Sequence, residues 1–441
     1  YQDTNEDWND ASLIKTDKYG QVEWTKIYGT EDNAESFFSV VVVNDGYIAV
    51  GSKTKIKNTD KDIYIVKVNT EGDTVWTKTY GGSQDDQASE IEYAGSGKYI
   101  VAGYTKSVVY GTKRAYLMII DDMGNMIKEN SYANCQCAAS VQQTNDGGYV
   151  FTGSTRSIAV GESDFYLGKT DAFLQLEWEK AYGGSDFDEA KCVINTTDGG
   201  FILTGWTASP EFGTVATDVY TIKTDSLGNQ DMQWGNRVYG SAHHDHGNAV
   251  IQTADGNYLI AGYTQNHYDA ERIKWTDDIY LIKCDNAGNN IWEQTYGGIY
   301  DESASSVRQE VDGSFIICSK TGSYSKRPGS DIYLLRLNNQ GLITSVNTNQ
   351  NKIPVNYILS QNFPNPFNNS TTLKYRLPKN CYVTLNLYNI RGQKVRALFN
   401  GFKQAGSHTL RVNGDDLPSG LYFYRIRAGN FIETRRMLLL K

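Results

Sequence analysis

The sequence predicts an all-β protein: a β-propeller of four-stranded blades followed by a small Ig-like β-sandwich. Three observations carry that expectation. A block of about fifty residues recurs six times, and a fixed period in that range marks units that must stack on their neighbours to bury an apolar face. The composition suits strands, with 31 Tyr, 42 Gly and only 7 Pro, and no helical stripe of useful length appears. Beyond residue 345 the period changes, and five of the seven prolines follow, at 354, 364, 366, 378 and 418.

Each repeat reads as four strands, a to d. In one copy they fall at residues 39–43, 47–51, 62–67 and 75–80. Strands a and b meet at tight Gly turns: Asp45-Gly46, Ser96-Gly97, Asp146-Gly147-Gly148, Asp198-Gly199-Gly200, Asp255-Gly256 and Asp312-Gly313. Strand c carries D-x-Y-type tyrosines at Tyr64, Tyr116, Tyr166, Tyr220, Tyr280 and Tyr333. The c–d turns place Gly72, Gly124, Gly228, Gly288 and Gly341 alike. Strand d repeats Trp76, Trp178, Trp234 and Trp292, with Lys128 in one slot; strict recurrence marks these as blade-packing residues. Antiparallel quartets repeated about an axis make a propeller. The frame of an apolar strand ending in Gly, then D-x-Y, then Trp resembles kelch propellers and the Gly/Tyr/Trp-rich repeats of secreted Bacteroidetes proteins. That resemblance implies a fold and no particular activity.

Residues 10–15 and 24–29 read as strands c and d with no a or b before them. The expectation is six full blades and a half unit here, seven blades in the intact protein with a missing N-terminal portion that held one more a–b pair, and a start after a processed or deleted segment, with no signal peptide in this chain. The propeller is assigned to residues 1–345, a polar linker to 346–356 and the sandwich to 357–441.

Charge divides the chain. From Lys352 onward there are 14 Lys+Arg against 3 Asp+Glu, a net of +11, so the rest, with 28 against 48, carries −20. A body of −20 repels nucleic acid, which excludes that partner. No apolar run is long enough to span a membrane as a helix. The six cysteines lack zinc-type spacing, and only Cys135 and Cys137 are near enough in sequence to suggest a local bridge.

The a–b and c–d turns share one face and are nearly constant. The b–c loops, on the other face with the d–a loops, vary in length, so recognition is expected there. Three features sit on that face. Acidic residues open strand a: Asp32, Asp85, Asp86, Asp188, Glu189, Asp245, Asp301 and Glu302. They read either as a carboxylate ring able to hold Ca²⁺ or as acceptors for turn N–H groups. The second feature is His243-His244-Asp245-His246, three imidazoles and a carboxylate with His267 as a fourth ligand, read as a transition-metal site or as a solvated loop. The third is aromatic: Tyr104, Trp206 and Tyr263 after strand b, with Trp8 and Trp275 in b–c loops. These suit stacking on sugar rings, or packing beneath the loops.

The C-terminal segment alternates in short runs at 371–377, 382–388, 407–412, 421–428 and 431–440. The ordered motifs Gln361-Asn362-Phe363-Pro364-Asn365-Pro366-Phe367-Asn368, Tyr388-Asn389-Ile390-Arg391-Gly392, Leu417-Pro418-Ser419-Gly420-Leu421-Tyr422 and Arg435-Arg436-Met437-Leu438-Leu439-Leu440-Lys441 resemble a type IX secretion C-terminal sorting domain, type A. The resemblance implies export to the outer-membrane surface or beyond, with the type IX machinery as partner and Asn362, Pro364, Asn365, Pro366, Phe367, Gly392, Gly420, Tyr422 and Lys441 as its motif positions.

No G-x-S-x-G, H-E-x-x-H or Cys/His arrangement is present. The sequence therefore reads as a secreted or surface-displayed propeller that binds a glycan or an envelope protein. The alternatives are a polysaccharide-acting hydrolase or lyase using acidic residues at the propeller mouth, and a purely structural surface protein.

Overall fold

The structure, a computed structural model, describes residues 10–30, 33–55, 60–269, 274–298, 300–324, 331–343, 357–359, 361–362, 365–368, 370–377, 381–403, 406–414, 416–429 and 431–440. The chain divides into two compact units, Tyr1–Thr344 and Ser345–Lys441.

The first unit is a succession of antiparallel blades. It opens with a two-stranded pair, Ala11–Thr16 with Val22–Tyr28. Blade 1 follows as Asn33–Val43, Gly46–Lys55, Lys61–Asn69 and Thr74–Tyr80, each strand bonded to the next. Blades 2 to 5 repeat that order from Asp86–Tyr93 to Asn290–Tyr296. Blade 6 shows Glu302–Gln309, Phe315–Thr321 and Asp331–Leu337, with a bridge between Leu337 and Ile343 where its fourth strand would start. Five of the six expected full blades are thus four-stranded over the described residues. The 346–356 segment lies outside them.

Strands b and c are buried on both sides, because each blade is sandwiched by its neighbours. The apolar side chains form one core per interface. Ile48, Val50, Ile63 and Ile65 of blade 1 meet Ile91, Val101 and Met118 of blade 2, and equivalent clusters recur up to blades 5 and 6. Strand a is innermost. Its polar side chains bond across to the next strand a, as Ser140 Oγ does to the Val193 carbonyl (3.4 Å) and Asn248 Nδ2 to the Ala304 carbonyl (2.8 Å). Arg308 of blade 6 approaches Glu92 of blade 2 at 4.0 Å, and Arg336 of blade 6 reaches the Lys18 carbonyl at 3.5 Å. The innermost strands therefore converge on one axis, and the last blade meets the first strand pair.

The repeated tryptophans lean on the c–d turn of the following blade. Trp24 Nε1 donates to the Thr70 carbonyl (3.0 Å) and Trp76 Nε1 to that of Asp122 (3.2 Å). Trp234 packs between blades as expected but is not on strand d, where the sequence pattern places it. It sits in a turn before the short strand Arg237–Tyr239, fully buried, edge-on to Tyr258 at 5.3 Å, while Arg237 covers the Gly288 turn in its place. All six cysteines are free; Cys135 Sγ bonds the Cys137 carbonyl at 3.2 Å instead of its thiol.

The second unit holds a three-stranded sheet, Ile358–Leu359, Ser370–Leu377 and Gly406–Asn413, and a four-stranded sheet whose order is Lys394–Lys403, Cys381–Tyr388, Gly420–Ala428 and Phe431–Leu439. Leu373, Leu385, Tyr424, Ile426 and Met437 fill the core. The strand Lys394–Lys403 was not expected from sequence. It is an edge strand, mostly exposed or half-buried, so it carries no clean two-residue alternation.

Candidate functional site

The acids that open strand a are consumed by turns. Asp86, Asp188, Asp245 and Glu302 are each at most 2% exposed. Asp86 accepts from the Gly82 N–H (2.8 Å) and Ser107 Oγ (2.7 Å). Asp188 accepts from the Gly184 N–H (2.8 Å), Asp245 from the Ser241 N–H (2.5 Å) and Glu302 from the Gly298 N–H (2.8 Å). Buried carboxylates need such donors. Asp85 instead pairs with Lys106 at 2.8 Å, Glu189 with Lys191 at 2.6 Å, and Asp301 accepts weakly from the Asp277 N–H at 3.4 Å. Asp32 lies outside the described residues.

These acids also face the Asp that opens strand c of the preceding blade. The two carboxylates flank the Gly that ends strand d. A Cβ on Gly183 would meet both Asp164 Oδ1 and Asp188 Oδ2 at 2.4 Å, and Gly81, Gly240 and Gly297 lie between equivalent pairs. At Gly240 the pair is Asp218 and Asp245. Burial and the facing Asp245 push the Asp218 carboxyl up to about 7, and burial raises Asp245 as well.

The histidine run opens strand a of blade 5, and alternation sends its members apart. Asp245 points to the blade interface. His246 lies between two aromatics, its ring 5.0 Å from Trp206 with planes 19° apart and 4.7 Å from Tyr263. Burial holds the His246 imidazole down to about 3, with Lys191 and His244 adding to the effect, so it is neutral. Thr217 Oγ1 ties His244 Nδ1 (2.8 Å) and His246 Nε2 (3.0 Å) together. His243 packs on Trp275 at 3.9 Å. Among the described residues, no group of three or more His, Cys, Asp or Glu gathers in a way that could hold a metal. Trp275 is not on a loop but in an extended hairpin, opposite Tyr268, where strands Tyr258–Asp269 and Lys274–Cys284 run past the blade. The His267 side chain and Trp8 lie outside what is described.

Trp206 also lines a cavity of about 600 Å³. Its floor comes from the innermost strands of several blades, through Ser89, Asn248 and Ser305, so it sits at the mouth of the central channel. Its walls bring in side chains not singled out from the sequence: Lys113, Arg156 and Phe187. Lys113 Nζ lies 4.0 Å from the centre of the Tyr104 ring, and the Arg156 guanidinium 5.8 Å from that of Phe187. Tyr104 itself is 8% exposed, with burial pushing its hydroxyl up to about 12. Of the expected aromatics, Trp206 and Tyr263 therefore come together through His246, Tyr104 stands behind Lys113, and Trp275 pairs with His243.

In the second unit the motif residues build the sheet seam. Asn362 is buried and donates to Thr371 Oγ1 at 3.0 Å. Asn365 Oδ1 accepts from the Leu438 N–H (2.8 Å), and Phe367 exchanges backbone bonds with Leu438 and Leu440 (3.0 and 2.9 Å). Tyr422 Oη donates to the Pro418 carbonyl at 2.8 Å. Gly392 takes positive φ (+74°) in its turn, and Gly420 starts the strand Gly420–Ala428. Pro366 lies on the surface; Pro364 and Lys441 lie outside the described residues.

The all-β blades and the terminal sandwich thus define a repeat protein carrying a separate C-terminal module. Residues 361–440 match the secretion system C-terminal sorting domain family, which marks the chain for type IX secretion to the cell surface or exterior. No helix among the described residues is long and apolar enough to cross a membrane. A regulatory protein, FlaEY of Caulobacter vibrioides, is 30% identical over 118 residues, which are 24% of this chain and 12% of that protein. Among solved structures, a protein of unknown function from Bacteroides caccae is similar at TM-score 0.40 and 10% identity, over 68% of this chain and 93% of its own. Aldose sugar dehydrogenase from Streptomyces coelicolor is similar at TM-score 0.38 and 10% identity, over 69% of this chain and 94% of its own.

Proposed function

We propose that the repeat unit is a kelch-like binding or adhesion module, delivered by the type IX machinery, and that its ligand is a glycan seated at the channel mouth. The observation that carries this reading is the Trp206–His246–Tyr263 stack. His246 covers one face of the indole and fixes its plane, and Trp206 lines the 600 Å³ cavity. A rigid indole at a cavity wall suits the apolar C–H face of a sugar ring, and this volume is in the range of small-molecule sites.

The alternative, a polysaccharide-acting hydrolase or lyase, has one observation in its favour. Asp218 and Asp245 are a buried carboxylate pair close to the stack, with Asp218 pushed up to about 7. Against it, the same pairing recurs at Gly81, Gly183 and Gly297, which speaks for docking of blades. Envelope-protein binding remains the reading if no sugar is held. Screening the full chain on a glycan array, with and without Ca²⁺, tests the proposal. Binding to a defined set of glycans is expected; silence across all sugars in both conditions would overturn it.

A further inference from the structure

We infer that the channel-mouth cavity selects an acidic sugar, a pyranose bearing a carboxylate, with Lys113 and Arg156 as the groups that receive its charge. This rests on the glycan reading of the same cavity and adds the ligand class. Three cations and two carboxylates line the space. Glu189 is spent on Lys191 at 2.6 Å, and Asp188 is fully buried and spent on the Gly184 turn and Ser209. Lys113 and Arg156 have no carboxylate partner among the described residues; each is held only over an aromatic ring.

The residues before Lys352 carry −20, so carboxylates are plentiful in this body, yet none among the described residues reaches these two cations. The buried strand-c lysines show the other case, each meeting the Asp of the a–b turn: Lys67 with Asp45 (3.0 Å), Lys169 with Asp146 (2.8 Å) and Lys283 with Asp255 (2.6 Å). Acids are abundant, so two cations left unpaired beside a cavity retain their charge for a ligand. A guanidinium presents a fork that matches a carboxylate, and a cation–π contact positions each group without neutralising it. The surrounding negative body repels anions at long range, so the selection acts at contact. Trp206 would receive the ring while the two cations receive the carboxylate, which places both halves of a uronate in one cavity.

The test uses the full chain and calorimetric titration with trimers of galacturonate, glucuronate and mannuronate, each alongside its methyl ester, and with acetate. At least one uronate trimer is expected to bind, with its methyl ester at least tenfold weaker and acetate not measurably bound. Arg156→Gln and Lys113→Gln should each weaken the acid trimer about ten- to a hundredfold and leave the ester unchanged. Equal binding of acid and ester, or indifference to both substitutions, would overturn the acidic-sugar inference while leaving glycan binding standing. Binding of acetate as strong as that of the trimers would reduce the site to a general anion site and overturn the sugar component. Failure of every trimer and ester overturns the acidic-sugar inference, while the glycan reading is then decided by the array of neutral and other sugars.

Discussion

Tyr239 Oη donates to the carbonyl of Gly288, 2.8 Å away in the c–d turn of the next blade. The same bond joins Tyr28 to Gly72 (2.6 Å), Tyr132 to Leu174 (2.9 Å) and Tyr182 to Gly228 (2.5 Å), and it also forms between Tyr80 and Gly124 and between Tyr296 and Gly341. Six tyrosines at one position of strand d therefore latch each unit to its successor. Tyr239→Phe keeps the ring and removes the donor, leaving a carbonyl unpaired at a buried joint. The expected cost is about 1–2 kcal/mol, read as a lower urea midpoint with an unchanged slope. An unmoved midpoint would show that the hydroxyl contributes nothing to docking.

The glycine between the paired carboxylates should be intolerant for reasons of space. In Gly183→Ala the new methyl would meet Asp164 and Asp188 oxygens at 2.4 Å, both in fully buried residues. In Gly199→Ala nothing lies within 4 Å, and the cost comes only from the turn's φ of +87°. The first should lose about 3 kcal/mol and the second about 1. Equal losses from denaturant titration would contradict the clamp.

Asp218 and His246 tilt stability with pH in opposite senses. Asp218 is raised to about 7, so between about pH 4 and 7 the folded chain holds a proton that the unfolded chain has lost. Its contribution falls as pH rises through that window. Asp218→Asn, which keeps the shape and stays neutral, should raise the melting temperature at pH 8 and leave it little changed at pH 4. His246 is lowered to about 3, so between about pH 6.5 and 3 the unfolded chain binds the extra proton. That contribution falls as pH drops. His246→Gln should flatten the acid side of the melting curve measured from pH 4 to 8. A profile unaltered by either substitution would refute the charge states assigned here.

The repeat was legible because its Gly turns and strand-c tyrosines keep one spacing, and tyrosines such as Tyr166 and Tyr220 are buried where blades meet. Trp234 was misread because an insertion moved it off the strand while its ring stayed buried against the next blade's Tyr258. The outer strand Lys394–Lys403 escaped notice because an edge strand leaves Val395 and Phe402 exposed and breaks the alternation. Trp206, His246 and Tyr263 were each visible as single candidates. Their stacking depends on neighbouring blades, Glu189 beside Trp206 and His246 beside Tyr263, which no one repeat encodes. Lys113 lies in a variable b–c loop, and Arg156 follows strand b where Lys106 stands in the preceding blade; the available signal was a basic residue near that rim in an acidic body.

The central claim is that the indole of Trp206 is held by His246 to meet a sugar. Its most direct measurement is Trp206→Ala in the full chain, with glycan affinity and melting temperature recorded on the same preparation. Binding should weaken about five- to thirteenfold, in line with a lost stacking contact of about 1–1.5 kcal/mol, with a melting temperature within about 2 °C of the parent. Retained affinity, or a large fall in melting temperature with binding lost only through unfolding, would make Trp206 a packing residue and contradict the claim.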